Sequence, residues 1–298
     1  MTHNKCCRHG ANLRRRRRRR RKILRSIIFS YSIIAVAVFV AVGSSMIRSG
    51  DGRKNRYDVE AGNNTYDNAV IENSKISEKN KIQNNQSMLD DIMNSTQYPK
   101  QLKDLALKNE EALEFVYDYP AEHVKEHTID LTEEVSMDSV PLFVQWDKRW
   151  GYEKYSGNFF AASGCGPTTL SMVVVYLTHD REASPIAVAK YSKEAGYSVD
   201  GSGSSWTLIS EGCRHYGVKA KAVALDESRM KAELDEGHPI VVNVGPGDFT
   251  DTGHFMVITG YDDEGFSIND PNSIEKSGKR WLFKNISSQI RAVWSMYV

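Results

Sequence analysis

Residues 164–177 read Gly164-Cys165-Gly166-Pro167-Thr-Thr-Leu-Ser-Met-Val-Val-Val-Tyr-Leu177. They place a cysteine at the mouth of an apolar helix. A cysteine acts as a nucleophile through its thiolate, and the partial positive charge of a helix N-terminus lowers a thiol pKa. Gly164 and Gly166 leave the thiol little steric cover. Pro167 lacks an amide hydrogen, which suits the first helical turn. The free amides of that turn, including that of Cys165, can donate to an oxyanion. The alternative, a buried structural cysteine, does not need two flanking glycines.

Two further groups follow in order. His254 opens the apolar run His254-Phe-Met-Val-Ile-Thr-Gly-Tyr261, after a loop of Gly, Asp and Thr (245–253). It is the one histidine of eight in such a setting. Taken alone, it reads equally well as catalytic or structural. Sixteen residues later comes Asp270, before Pro271. A carboxylate there would fix the imidazole tautomer by accepting its second N–H. A three-residue turn at Asp263-Glu264-Gly265 would pair Asp270 with Ile258, on the face of His254 but four residues along. Direct contact then requires a bent strand or another register. Asn272 is the reserve orienting group, and a plain turn aspartate is the alternative for Asp270.

Around these residues the pattern is helices first and antiparallel strands later, an α+β arrangement. Helical runs fall at 166–177, 184–195, 206–216 and 227–236. Apolar β runs fall at 239–244, 254–261 and 265–269, with a final pair at 279–283 and 290–298. All five tryptophans lie between Trp146 and Trp294, so residues 138–298 read as the folded domain. Upstream, Leu102, Leu105, Leu113, Val116 and Tyr117 recur at helical intervals, so 98–137 reads as a helical lead segment, with Asn109 as an N-cap. His123 and His127 sit four apart without a third ligand, so a solvated segment is the better reading than a metal site. Residues 48–97 are polar, with few aromatics and no sustained period, and read as a disordered stalk.

The N-terminus is of another kind. The first 25 residues carry 12 positive charges and no acid. The chain holds 39 basic and 38 acidic residues, so 26–298 hold 27 and 38, a net of −11. From Ile27 to Ile47 there are 21 residues without a charge, enough to span a bilayer as a helix. A basic flank stays cytoplasmic, so 1–26 reads as a cytoplasmic tail, 27–47 as a transmembrane helix and the rest as extracellular. A cleaved signal peptide ending near Ser44 or Ser45 is the rival reading. Next to a spanning segment, the arginine run reads as a topology signal and anionic-lipid contact, and no nucleic-acid partner is expected.

Of the four cysteines, Cys6 and Cys7 lie in the basic tail. Cys165 and Cys213 would face an oxidising compartment, where a disulfide is possible. A lone cysteine in a buried run such as that of Cys213 is more often a small hydrophobe.

Four segments together resemble the papain-like cysteine peptidases of family 39, in their stand-alone bacterial branch. They are Val140-Pro-Leu-Phe-Val-Gln145-Trp-Asp-Lys-Arg-Trp150-Gly-Tyr, Ser163-Gly-Cys165-Gly-Pro-Thr, Gly247-Asp-Phe-Thr-Asp-Thr-Gly-His254-Phe and Asn269-Asp270-Pro-Asn-Ser. Tyr98-Pro and Phe115-Val-Tyr-Asp-Tyr-Pro120 also look like the lead segment of that branch. The resemblance implies a papain-like fold, with the nucleophile on N-terminal helices and an antiparallel C-terminal sheet. It implies Cys165 as nucleophile, His254 as base, Asp270 as orienting acid and Gln145 as candidate oxyanion donor. Papain-like enzymes carry that glutamine six residues before the cysteine, where this chain has Phe159. Gln145 lies 20 residues before Cys165, so the intervening loop must bring it back. The implied activity is a peptidase acting through a thioester, with a peptide or protein substrate and neither metal nor organic cofactor. An amidase or peptidoglycan hydrolase, and a peptide-binding surface protein, are the alternatives. Oligomeric state cannot be read from the chain.

Overall fold

The computed structural model describes residues 63–298, with side chains from residue 78 onward. The expected cytoplasmic tail and the candidate membrane segment Ile27–Ile47 lie outside these residues. Among the described residues no helix is long and apolar enough to cross a membrane.

The expectation of a disordered stalk over 48–97 is corrected over much of its length. Helix α1 runs Asn63–Asn94. It contains no glycine or proline to break it, and its last turns carry Met88, Leu89 and Ile92, which join an apolar cluster with the lead segment. Anchoring at one end supplies the tertiary contact that a polar helix needs. The lead segment follows as α2 (Lys100–Lys108), a 3-10 turn at Glu110–Ala112 and short helices at Leu113–Tyr117, Tyr119–Glu122 and Thr132–Ser136. Asn109 caps the 3-10 turn as expected, its side chain accepting the Glu111 amide at 3.0 Å.

The centre of the domain is α3, Cys165–Thr178, followed by α4, Pro185–Glu194. Residues Gly166 to Val175 of α3 are all buried, so the helix is enclosed on every side over this stretch. Its valines are mediocre helix formers. Burial of each such side chain, worth about 1.5–3 kcal/mol, holds the helix together instead. The helix ends where His179 takes a left-handed conformation (φ 58°), with its ring Nδ1 bonded to the Val135 carbonyl at 2.8 Å.

One face of a six-stranded antiparallel sheet packs on α3. The strands are β1 (Lys219–Ala222), β2 (Ile240–Val244), β3 (His254–Asp262), β4 (Gly265–Asn269), β5 (Arg280–Trp281) and β6 (Ile290–Tyr297), in the order β1-β6-β2-β3-β4-β5. The two-residue side-chain period sorts the strands between two cores. Val241, Phe255, Val257 and Met296 join α3. Ile240, Val242, Met256, Ile258 and Ile268 join helix α5 (Glu227–Asp235) on the other face through Met230 and Leu234. The sequence reading did not anticipate β1. Its Lys-Ala-Lys-Ala composition is weakly apolar, as befits a charged edge strand. The expected helix over 206–216 is split into Thr207–Ser210 and a 3-10 turn, Gly212–Tyr216.

Candidate active site

The first turn of α3 presents Cys165. Its neighbours are glycines for a packing reason. A Cβ on Gly166 would stand 2.5 Å from Ser204 Oγ and 2.7 Å from Ser204 Cβ, and one on Gly164 would stand 2.6 Å from the Phe160 ring. The expected steric openness is therefore a close approach on both sides. The loop Gly201-Ser-Gly203-Ser-Ser205 lies against the helix mouth. It is held there by Tyr155, whose hydroxyl bonds Ser204 Oγ at 2.6 Å, and by Ser156 Oγ, which accepts the Gly203 amide at 3.0 Å.

His254 and Asp270 are brought together by two departures from the expected strand register. The turn is two residues long, because Gly265, at φ 135°, pairs with Asp262 rather than sitting in the loop. A bulge between Ile258 and Gly260 then moves the pairing by one more residue, to Ile258 with Ile268 and Val257 with Asn269. Carried on by one residue, that register sets Asp270 opposite Met256, two positions from His254 instead of four. Such a diagonal is within reach of two side chains. His254 Nε2 donates to Asp270 Oδ1 at 2.7 Å, and Asp270 is fully buried (0 % exposed). The same carboxylate oxygen accepts the Asn272 amide at 2.8 Å, while Asp270 Oδ2 is buried without a partner in the structure. The Asn272 side chain turns the other way, its Oδ1 accepting from Asn109 at 3.1 Å. The ring is thus met by the Asp270 carboxylate, and Asn272 contributes its backbone N–H to the same oxygen.

With Nε2 committed to Asp270, Nδ1 is the ring nitrogen left to interact with the Cys165 thiol, and the two groups shift each other's titration. The electrostatics follow. Burial alone would raise the Cys165 thiol, but the His254 hydrogen bond and charge, together with the Phe255 and Gly166 amides, hold it below the ordinary thiol range. Burial alone would lower the His254 ring, but Asp270 first and Cys165 second push it well above the ordinary imidazole range. These are the conditions of a thiolate–imidazolium pair. Cys213 is the contrast. It is a free, buried thiol pushed up to about 11 by burial, and Cys165 is likewise free.

Gln145 bonds to two segments that lie near the cysteine and the aspartate in sequence. Its amide donates to the Pro271 carbonyl at 2.7 Å, and its Nε2 donates to the Ala161 carbonyl at 2.7 Å. It therefore bridges the turn after Asp270 and the approach to Cys165, with one N–H of the side-chain amide still to spare. Its Oε1 is buried and unpartnered. The loop before His254 is pinned through Gln289, whose Oε1 accepts the Asp248 amide at 2.7 Å, and through the buried Phe249. Its tip, 251–253, is exposed beside the histidine.

His123 stacks on Tyr119 with ring centroids 4.1 Å apart, and His127 pairs with Glu122. Among the described residues no group of His, Cys, Asp and Glu is arranged to hold a metal ion. The sequence reading missed Glu111 as a partner of the Asp270 turn, and saw Asn109 only as a cap. A contact over 163 residues leaves no local signal.

Comparison with known proteins follows the same residues. Residues 137–298 match the Peptidase_C39 like family. Similar solved structures include the peptidase domain of Streptococcus ComA, a bi-functional ABC transporter involved in a quorum-sensing pathway. It is 19% identical, with TM-score 0.38, covering 53% of this chain and 96% of that one. Another is a C39-like peptidase from Bacillus anthracis, 16% identical, with TM-score 0.34, covering 53% of this chain and 95% of that one. No curated protein matches.

Proposed function

The chain belongs to the Peptidase_C39 like family, and on that premise we propose that it is a membrane-anchored cysteine peptidase working outside the cell. The observation that carries the catalytic reading is the single ring of His254, which donates through Nε2 to buried Asp270 at 2.7 Å and whose charge holds the Cys165 thiol below its usual range. Cys165 Sγ attacks the carbonyl carbon of a peptide bond. The amides of the first turn of α3 and the spare N–H of Gln145 Nε2 receive the oxyanion. His254 Nδ1 gives its proton to the leaving nitrogen as the C–N bond breaks, and a thioester remains. The neutral ring then takes a proton from water, whose oxygen attacks the thioester. The acid departs and the thiolate–imidazolium pair is restored. Asp270 holds the ring and stabilises its cation without taking the proton.

Supporting the location are the charge-free stretch Ile27–Ile47 and the basic run before it, which together favour a single span with the N-terminus inside. Electrophilic peptide probes test the enzyme reading. Such a probe should label Cys165, and Cys165→Ala or His254→Ala should abolish both labelling and peptide hydrolysis. Adducts on Cys213 instead, or hydrolysis that survives Cys165→Ala, would reject the assignment.

A further inference from the structure

Two residues upstream of the matched family region grip the turn that carries Asp270. The Glu111 carboxylate accepts the Ser273 hydroxyl and the amides of Ile274 at 2.7 Å and Glu275 at 3.1 Å. Asn109 Nδ2 donates to the Asn272 carbonyl at 2.9 Å and to its Oδ1 at 3.1 Å, while its own Oδ1 accepts the Glu111 amide. Asn272 in turn gives its amide to Asp270 Oδ1.

The gripped turn joins the end of β4 to a four-residue helix, Ile274–Ser277. So short a helix has little stability of its own. Its free N-terminal amides need acceptors, and Glu111 supplies one from outside. The same lead segment shares an apolar cluster with Phe159 and Ala161 on the approach to the nucleophile. Ala161 is also the residue whose carbonyl fixes Gln145. The lead segment therefore touches both sides of the reacting groups.

We infer that the lead segment is a working part of the catalytic unit, with Asn109 and Glu111 as positioning residues that hold the Asp270 carboxylate against His254; this rests on the triad proposed above. The route is indirect. Loosening the turn weakens the Asp270–His254 bond, the imidazolium loses stabilisation, and the Cys165 thiolate loses its counter-ion. A purely structural lead segment would affect melting alone.

The test is the pH dependence of Cys165 alkylation by iodoacetamide in the full chain, with Tm measured on the same samples. Asp270→Asn comes first and should move the acid limb to higher pH. Glu111→Ala should move it the same way, slowing alkylation at pH 6 by about three- to tenfold. Asn109→Asp keeps the cap but removes the donors to Asn272, and should act in the same direction. It decides the matter if Glu111→Ala does not fold. Neither substitution should slow alkylation further in an Asp270→Asn background, since both act through that carboxylate. A lowered Tm with the wild-type pH profile in Glu111→Ala and Asn109→Asp would overturn the inference, as would additive slowing on Asp270→Asn. An acid limb unmoved in Asp270→Asn would instead sink the triad reading, and this inference with it.

Discussion

Cys165 and Cys213 are chemically the same residue in opposite surroundings, so their reactivities should part sharply. At pH 6, iodoacetamide should modify Cys165 well ahead of Cys213 in folded protein, because His254 holds the first thiol down and burial pushes the second up to about 11. Equal rates, read by mass spectrometry, would remove the activated thiol. The pH profile of peptide hydrolysis follows with a definite sign. Activity should rise with pH through a thiol titration below the ordinary range. It should fall only when the imidazolium loses its proton, above the ordinary imidazole range. Both limbs belong to the pair rather than to either residue. Asp270→Asn should keep the fold and cut turnover by less than His254→Ala does. Asn272→Ala should have a smaller effect, because its side chain faces Asn109 while its amide serves Asp270. Activity per folded molecule separates these outcomes, and full activity in Asp270→Asn with a large loss in Asn272→Ala would transfer the orienting role.

Among the elements, the mouth of α3 and the β3–β4 pair carry the site, and each depends on close fit. Gly166→Ala would drive a Cβ into Ser204, part of the loop held by Tyr155 and Ser156. It should cost peptidase activity more than helix stability, since the loop must move away from the cysteine. Retained activity alongside a wild-type Tm would show that the loop yields freely. Burial in the helix body is a different matter. Val174→Ala, at a site with no exposure, should lower stability by about 2 kcal/mol in denaturant titration and leave the pH profile in place. In the strand pair, the bulge at Thr259 and the two-residue turn each move the register by one. Without them the carboxylate would stand too far along the strand to meet the ring.

Taken entire, the chain couples an acidic body to a strongly basic tail through a charge-free stretch. Protease added to intact cells should release the globular part and leave the tail protected. Mature protein beginning near Ser44 or Ser45 would instead make the chain a secreted one. The α+β order, the cysteine at a helix mouth, the histidine opening a strand and nearly every strand from 239 onward could be read along the chain. Each rests on local periods and helix-end chemistry, which act over a few residues. The helix over 63–94 escaped that reading because, among its described side chains, those that join an apolar cluster, Met88, Leu89 and Ile92, pack with the lead segment. The direct contact of Asp270 with His254 escaped it because two register steps, a two-residue turn and a bulge, bring that side chain to the ring. The grip of Asn109 and Glu111 on the Asp270 turn escaped it for the most general reason. Hydrogen bonds between residues more than 160 positions apart leave no periodicity, and they form only after the sheet and the lead helices have packed.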